Sequence, residues 1–150
     1  MILPDVNLLL YAVNEDSPFH SKAKTWLEST LSGPETVGFS WQVLLAFLRL
    51  TTRPGIFQTP LKTAQAFAMI RSWLDQPPAT ILHPGPKHLR IMEDILTPLG
   101  TGGNLTSDAH LAALAIELGA ELHSLDNDFS RFASLNWRNP LLAVSNHRKT

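Results

Sequence analysis

Apolar and polar positions along this chain change period in blocks, and the changes mark its elements. Met1-Ile2-Leu3 is apolar, stops at Pro4-Asp5 and resumes as Val6-Asn7-Leu8-Leu9-Leu10-Tyr11-Ala12. That reads as a buried strand, a sharp turn holding Asp5 and Asn7, and a first helix. Ser17-Pro18 gives a capping hydroxyl followed by proline, a helix start. Phe19, Ala23, Trp26, Leu27 and Leu31 then keep helical spacing until Gly33-Pro34, with Lys22, Lys24 and Glu28 off the stripe. Thr36 to Phe39 forms a short strand, and Ser40 caps a helix from Trp41 to Thr52. That helix is apolar on nearly every face around Val43 to Leu50. It is therefore either buried or partly covered by a second chain, such as a homodimer partner.

Thr59-Pro60 repeats the hydroxyl-then-proline start, with Leu61, Ala64, Phe67, Ile70, Trp73 and Leu74 as the stripe. Ala79 to Leu82 is a third strand. Leu89, Met92, Ile95, Leu96 and Leu99 mark the next helix, ended by Gly100. Leu105 to Gly119 is a compact alanine-rich helix, and Ala120 to Asp126 a fourth strand with Leu122, Ser124 and Asp126 on one side. A turn and short helix follow at Asn127 to Phe132. Leu141 to Val144 reads as an edge strand, and the tail from Asn146 to Thr150 as mobile. Strands alternating with helices predict an α/β fold: a three-layer α/β/α sandwich with a mainly parallel sheet of four to five strands. No boundary interrupts it, so residues 1–150 read as a single domain.

Composition removes several functions. The chain has 150 residues, no cysteine and a net charge of −1. Thiolate metal sites are impossible, and no bulk basic surface announces nucleic acid. A local patch from Arg49, Arg53, Arg71, Arg90 and Arg131 is still available. No apolar run reaches membrane length and no signal segment is evident, so a cytoplasmic protein without a membrane partner is expected. The glycines in Thr101-Gly102-Gly103-Asn104 precede no Gly-Lys-Ser/Thr, so they are read as a functional loop, not a phosphate loop. The histidines form no metal spacing, and no Gly-x-Ser-x-Gly elbow supports a serine hydrolase.

The remaining chemistry lies in acids at element junctions: Asp5, Asp108 and Asp126. Each alone has a structural reading, as a helix cap or an Asx turn. Three that converge repel one another, by about 4 kcal/mol per pair at 4 Å and an effective dielectric near 20, so convergence implies a cation or a shifted pKa. Oxygen donors of this kind suit Mg²⁺ or Mn²⁺.

Three stretches carry a family resemblance. They are Asp5 to Ala12, Asn104 to Ala115, and Ser124-Leu125-Asp126-Asn127-Asp128-Phe129. In this order and spacing the chain resembles PIN-domain proteins, specifically VapC-type toxins of toxin–antitoxin pairs. The resemblance implies a Mg²⁺-dependent ribonuclease that cleaves RNA, with a cognate VapB-type antitoxin lying in its groove. It assigns Asp5, Asp108 and Asp126 to the metal site, with Asp128 as a supporting acid and Asn7 and Ser124 orienting them. One departure stands out. The family's usual glutamate, six residues past a serine like Ser40, is Ala46 here, and no acid occurs between Glu35 and Asp75. Two rivals remain open: a catalytically weak RNA- or antitoxin-binding module with the same fold, and a phosphatase-type enzyme using Asp5 as nucleophile.

Overall fold

The computed structural model describes residues 1–142. Five short strands form one sheet: β1 (Ile2–Pro4), β2 (Val37–Ser40), β3 (Ala79–Leu82), β4 (Glu121–His123) and β5 (Trp137–Arg138). Their order is β3-β2-β1-β4-β5, and every neighbouring pair is parallel. The connecting helices are α1 (Val6–Val13), α2 (His20–Leu31), α3 (Trp41–Thr52), α4 (Thr63–Leu74), α5 (His88–Leu96) and α6 (Thr106–Leu118). Helix α1 packs on both α2 and α3, α3 packs on α4, and α5 packs on α6. Right-handed crossovers place these two groups on opposite faces of the sheet, which completes the three layers. No helix among the described residues is long and apolar enough to cross a membrane.

The strand order fixes where chemistry can happen. The chain steps outward from β1 to β3, then returns to lay β4 on the other side of β1. The crevice beyond the carboxyl ends of β1 and β4 is the topological switch point, where ligands of open parallel sheets bind. A parallel sheet needs both faces covered, and the buried residues supply that cover. Leu3, Val37, Phe39 and Leu122 are fully buried in the strands, as are Leu9, Ala23, Phe47, Ala112 and Ala113 on the helices above and below. Alanines at Ala109, Ala112, Ala113 and Ala115 let α6 lie close to the sheet. Gly119 ends that helix at φ +68°, a left-handed turn that glycine adopts without strain.

Several local expectations need correction. Among the described residues the edge strand is Trp137–Arg138, and Leu141 and Leu142 do not form one. Leu122 N donates to Asn136 O and Ser124 N to Arg138 O, so the backbone pairing of β4 is used up earlier in the chain. Leu141 and Leu142 follow as a turn, and Ala143 and Val144 lie outside the described residues, as does the Asn146–Thr150 tail. Helix α4 starts at Thr63, past Thr59-Pro60. Leu61 N donates to Thr51 O at 2.8 Å, which holds that residue outside the helix, and Lys62 N donates to Gln65 Oε1 at 2.9 Å to cap it. The buried stripe of α4 is Ala66, Ile70 and Trp73, so Ala64 and Phe67 face outward. On α5, Ile95 is buried and Leu89 is 79% exposed. Helix α3 spans the expected residues but is not enclosed: Val43, Leu44, Phe47 and Thr51 are buried, while Trp41 and Leu45 are exposed.

Candidate active site

Asp5 is delivered to the crevice by the first ladder. Its amide donates to His123 O at 2.9 Å, which extends the β1–β4 pairing to the acid itself. Its side chain then caps α1, with Oδ1 accepting from Val6 N at 2.7 Å. The structural and functional readings of this residue are thus both satisfied, because capping uses only one carboxylate oxygen. The other oxygen, Oδ2, accepts from Ser124 Oγ at 2.7 Å.

Ser124 joins the two strand ends. It is fully buried, one residue past β4. Its hydroxyl accepts from Asn7 Nδ2 at 3.1 Å and from Asp126 N at 3.0 Å. Both of those groups can only donate, so the hydroxyl proton must point at Asp5. One donor and two acceptor positions are then all in use. The Trp137 indole N–H donates to Ser124 O at 3.1 Å, which gives the two-residue edge strand a role behind the site.

Asp126 caps the short 3-10 helix Asn127–Arg131, accepting from Asp128 N at 2.9 Å. The Asx turn brings Asp128 back beside Asp126. Across the crevice, Asp108 stands in the first turn of α6. One carboxylate oxygen from each of Asp108, Asp126 and Asp128 lies within 4.8 Å of the other two. Asp5 is outside this tightest trio but shares Ser124 with Asp126 and lines a cleft of about 330 Å³ with Asp108. The four acids anticipated from the sequence are therefore brought to one place, with Asp128 closer to its centre than expected.

The electrostatics agree with that convergence. The Asp108 carboxyl is pushed up to about 6, first by burial and then by the charges of Asp126, Asp5 and Asp128. The Asp5 carboxyl is also raised, chiefly by burial, against the lowering hydrogen bonds from Ser124 and Val6. A cluster in which the acids raise one another is one that a cation would relieve. All donors are hard oxygens, and the buried Asn7 Oδ1 is an acceptor with no partner. The donor set fits a divalent cation of the Mg²⁺ class.

The opposite wall of the cleft is α3. Gln42, Leu45, Ala46 and Arg49 line it at helical positions i, i+3, i+4 and i+7. Position 46 thus faces the acids, and it carries a methyl group. Gln42 Nε2 donates to Ser107 O at 3.3 Å, which ties α3 to the start of α6. Gln42 was not singled out from the sequence, although its spacing of four from Ala46 places it on this face. Of the candidate arginines, Arg49 lines the cleft, whereas Arg53, Arg71, Arg90 and Arg131 do not. His110 turns away from the acids and pairs with His88, Nδ1 to Nε2 at 2.8 Å.

A family model described as "PIN domain" matches residues 2–135. The chain belongs to the PIN-domain family. Over 141 residues it is 47% identical to "Ribonuclease VapC33" of Mycobacterium tuberculosis, covering 94% of this chain and 99% of that one. It is 46% identical to "Ribonuclease VapC37" of the same organism over 140 residues, covering 93% and 97%. This PIN domain is thus a member of the VapC ribonucleases. Among solved structures, the fold matches VapBC2 from Rickettsia felis bound to a promoter DNA fragment, with TM-score 0.69, 21% identity and coverage of 92% and 98%. It also matches Mycobacterium tuberculosis VapC20, a sarcin-ricin loop cleaving toxin, with TM-score 0.62, 22% identity and coverage of 91% and 99%.

Proposed function

We propose that this VapC-type ribonuclease hydrolyses RNA phosphodiester bonds at a divalent cation, Mg²⁺ or Mn²⁺, held by Asp5, Asp108 and Asp126, with Asp128 supporting. The carrying observation is the meeting of Asp108, Asp126 and Asp128 oxygens within 4.8 Å beside a Ser124-anchored Asp5. When bound, the cation supplies an acidified water and an offset for charge developing on the phosphate. The residues of the chain do the rest. Ser124 fixes the rotamer of Asp5, and the Asp126 turn holds Asp128 against it. Burial at the strand ends lowers the local dielectric, which strengthens each interaction with the phosphate. In the reaction a water oxygen bonds to phosphorus as the P–O3′ bond breaks. The proton lost by water passes to solvent, and a solvent proton completes the 3′-hydroxyl, leaving 5′-phosphate and 3′-hydroxyl ends.

The protein acts as the toxin of a toxin–antitoxin pair in the cytoplasm, with residues 1–150 as one catalytic domain. The solved VapBC and FitAB neighbours support this reading, as do the exposed Leu45 in the cleft wall and the exposed Trp41 on the same helix. The competing reading, a binding module without catalysis, draws on the methyl group at Ala46. Controlled expression separates the two. Wild-type protein should arrest growth, Asp108→Asn should not, and the cognate antitoxin should reverse the arrest. Unimpaired growth at confirmed soluble expression of the wild type would favour the binding module.

A further inference from the structure

The two walls of the cleft are opposite in character. The strand ends and the start of α6 carry the acids, and the face of α3 opposite them carries no anion at all. Its charged residue is Arg49, exposed in the last turn of α3 and without an ion pair among the described residues. A guanidinium that shares a cleft with Asp5 and Asp108 yet pairs with no carboxylate keeps its donor fork available for another anion. An RNA phosphate entering this cleft has a particular difficulty. Four carboxylates repel it, and one divalent cation offsets only part of their charge. A second cation would need its own carboxylate on the α3 wall, where the methyl of Ala46 stands instead.

Building on the cation-centred reading above, we propose that Arg49 binds the scissile phosphate from the α3 side and supplies the positive charge that a second cation would otherwise bring. Arginine suits this place. Its planar fork meets two phosphate oxygens at once, and its charge persists at any physiological pH. As the P–O3′ bond breaks, charge builds on the non-bridging oxygens, where the guanidinium stabilises it more than in the ground state. Ala46, one turn before Arg49, keeps the approach open. A glutamate there would instead lie within pairing distance of the guanidinium, at the i, i+3 spacing.

The test uses the full-length chain and a 5′-labelled pool of random-sequence single-stranded RNA with Mn²⁺. Arg49→Ala should lower kcat on the order of 100-fold, as loss of a donor to a developing oxyanion does. Arg49→Lys should recover part of that loss, because it keeps the charge and loses the fork. Calorimetric Mn²⁺ binding without RNA should be unchanged in both variants, a result that a merely structural role would not give. In an Asp108→Asn background, Arg49→Ala should reduce the salt dependence of RNA binding by about 0.7 in log–log slope, one phosphate contact on a single strand. Wild-type cleavage by Arg49→Ala would overturn the proposal, as would loss of Mn²⁺ binding alongside activity. Intact cleavage with a loosened antitoxin complex would also overturn it, and would assign the guanidinium to a protein carboxylate. Full activity of Asp108→Asn would sink the cation-centred reading instead, while the salt slope would still report on Arg49.

Discussion

The β1–β4 wall of the cleft and its α3 wall are built on different principles. On the first, the Ser124 hydroxyl is fully committed and holds Asp5, Asn7 and Asp126 together, with only the Asn7 Oδ1 beside it left unpartnered among the described residues. On the second, Gln42 makes one long bond across the cleft, and Arg49 makes no ion pair among the described residues. The first wall is preorganised and anionic. The second is sparsely bonded and cationic, with its side chains free to meet what enters. Strand ends joined by main-chain pairing can hold a carboxylate to within a fraction of an ångström. A surface helix instead offers side chains whose positions a ligand must fix, so the two walls should respond differently to substitution.

The largest effect is expected on the acidic wall. Asp5→Asn or Asp108→Asn should bring RNA cleavage to background and weaken Mn²⁺ binding, with the fold intact by circular dichroism. Removing a carboxylate charge here takes away little packing. If both variants unfold instead, these acids serve only as caps.

Next in size is Ser124→Ala. It leaves Asp5 Oδ2 without its donor, and Asn7 Nδ2 and Asp126 N without an acceptor. Outer groups that orient metal-site acids are typically worth about 10–100-fold in affinity or activity. A thermal melt should also show a loss of roughly 1–3 kcal/mol from the unsatisfied buried groups. Unchanged kinetics would show that Asp5 needs no anchor.

A smaller effect tests the other wall. Ala46→Glu adds a carboxylate facing the acids, so calorimetry with Mn²⁺ should show tighter binding or a second event. The cost is a less stable apo protein if the new charge stays unpaired. Two tight sites in the wild type without RNA would refute the single-cation arrangement.

The smallest expected effect is a pH slope. Asp108 is raised from 3.8 to about 6 in the folded chain. The native state then holds more protons than the unfolded one between those values. The Asp108 contribution to cation-free stability should therefore fall as pH rises through that range and level off above it, read as the difference between the wild type and Asp108→Asn. Solvent screening at this half-exposed group keeps the slope to a fraction of the roughly 1.4 kcal/mol per pH unit of a full proton. Saturating Mg²⁺ should flatten or reverse it. An Asp108→Asn variant with the same cation-free pH slope as the wild type from pH 4 to 6 would contradict the burial and mutual repulsion assigned to Asp108.

The difference between the walls also explains what the sequence made legible. Asp5, Asp108 and Asp126 were visible because each sits where one period of hydrophobicity gives way to another. Each also has a structural reason to stand there, as a cap or an Asx turn, so it was the three together that pointed to a site. Ser124 was visible by alternation along its strand, although β4 ends one residue before it. Gln42 and Arg49 left a weaker signal, because polar residues on a surface helix are ordinary until a partner wall faces them. The errors share one cause, apolar residues that tertiary pairing leaves unused. Leu141 and Leu142 look more strand-like than Trp137–Arg138, yet β4 pairs with the latter. Thr59-Pro60 looks like a helix start, yet Thr51 O holds the Leu61 amide and the helix begins at Thr63. Phe67 and Leu89 fit a helical stripe, yet the buried faces of α4 and α5 run beside them.

The most direct test of the central claim is the metal dependence of cleavage and the chemistry of its ends. Purified protein incubated with single-stranded RNA and Mg²⁺ should yield fragments with 5′-phosphate and 3′-hydroxyl termini. EDTA should stop the reaction, and excess Mn²⁺ should restore it. Cleavage that persists in EDTA and leaves 2′,3′-cyclic phosphate ends would contradict a cation-centred site at Asp5, Asp108 and Asp126.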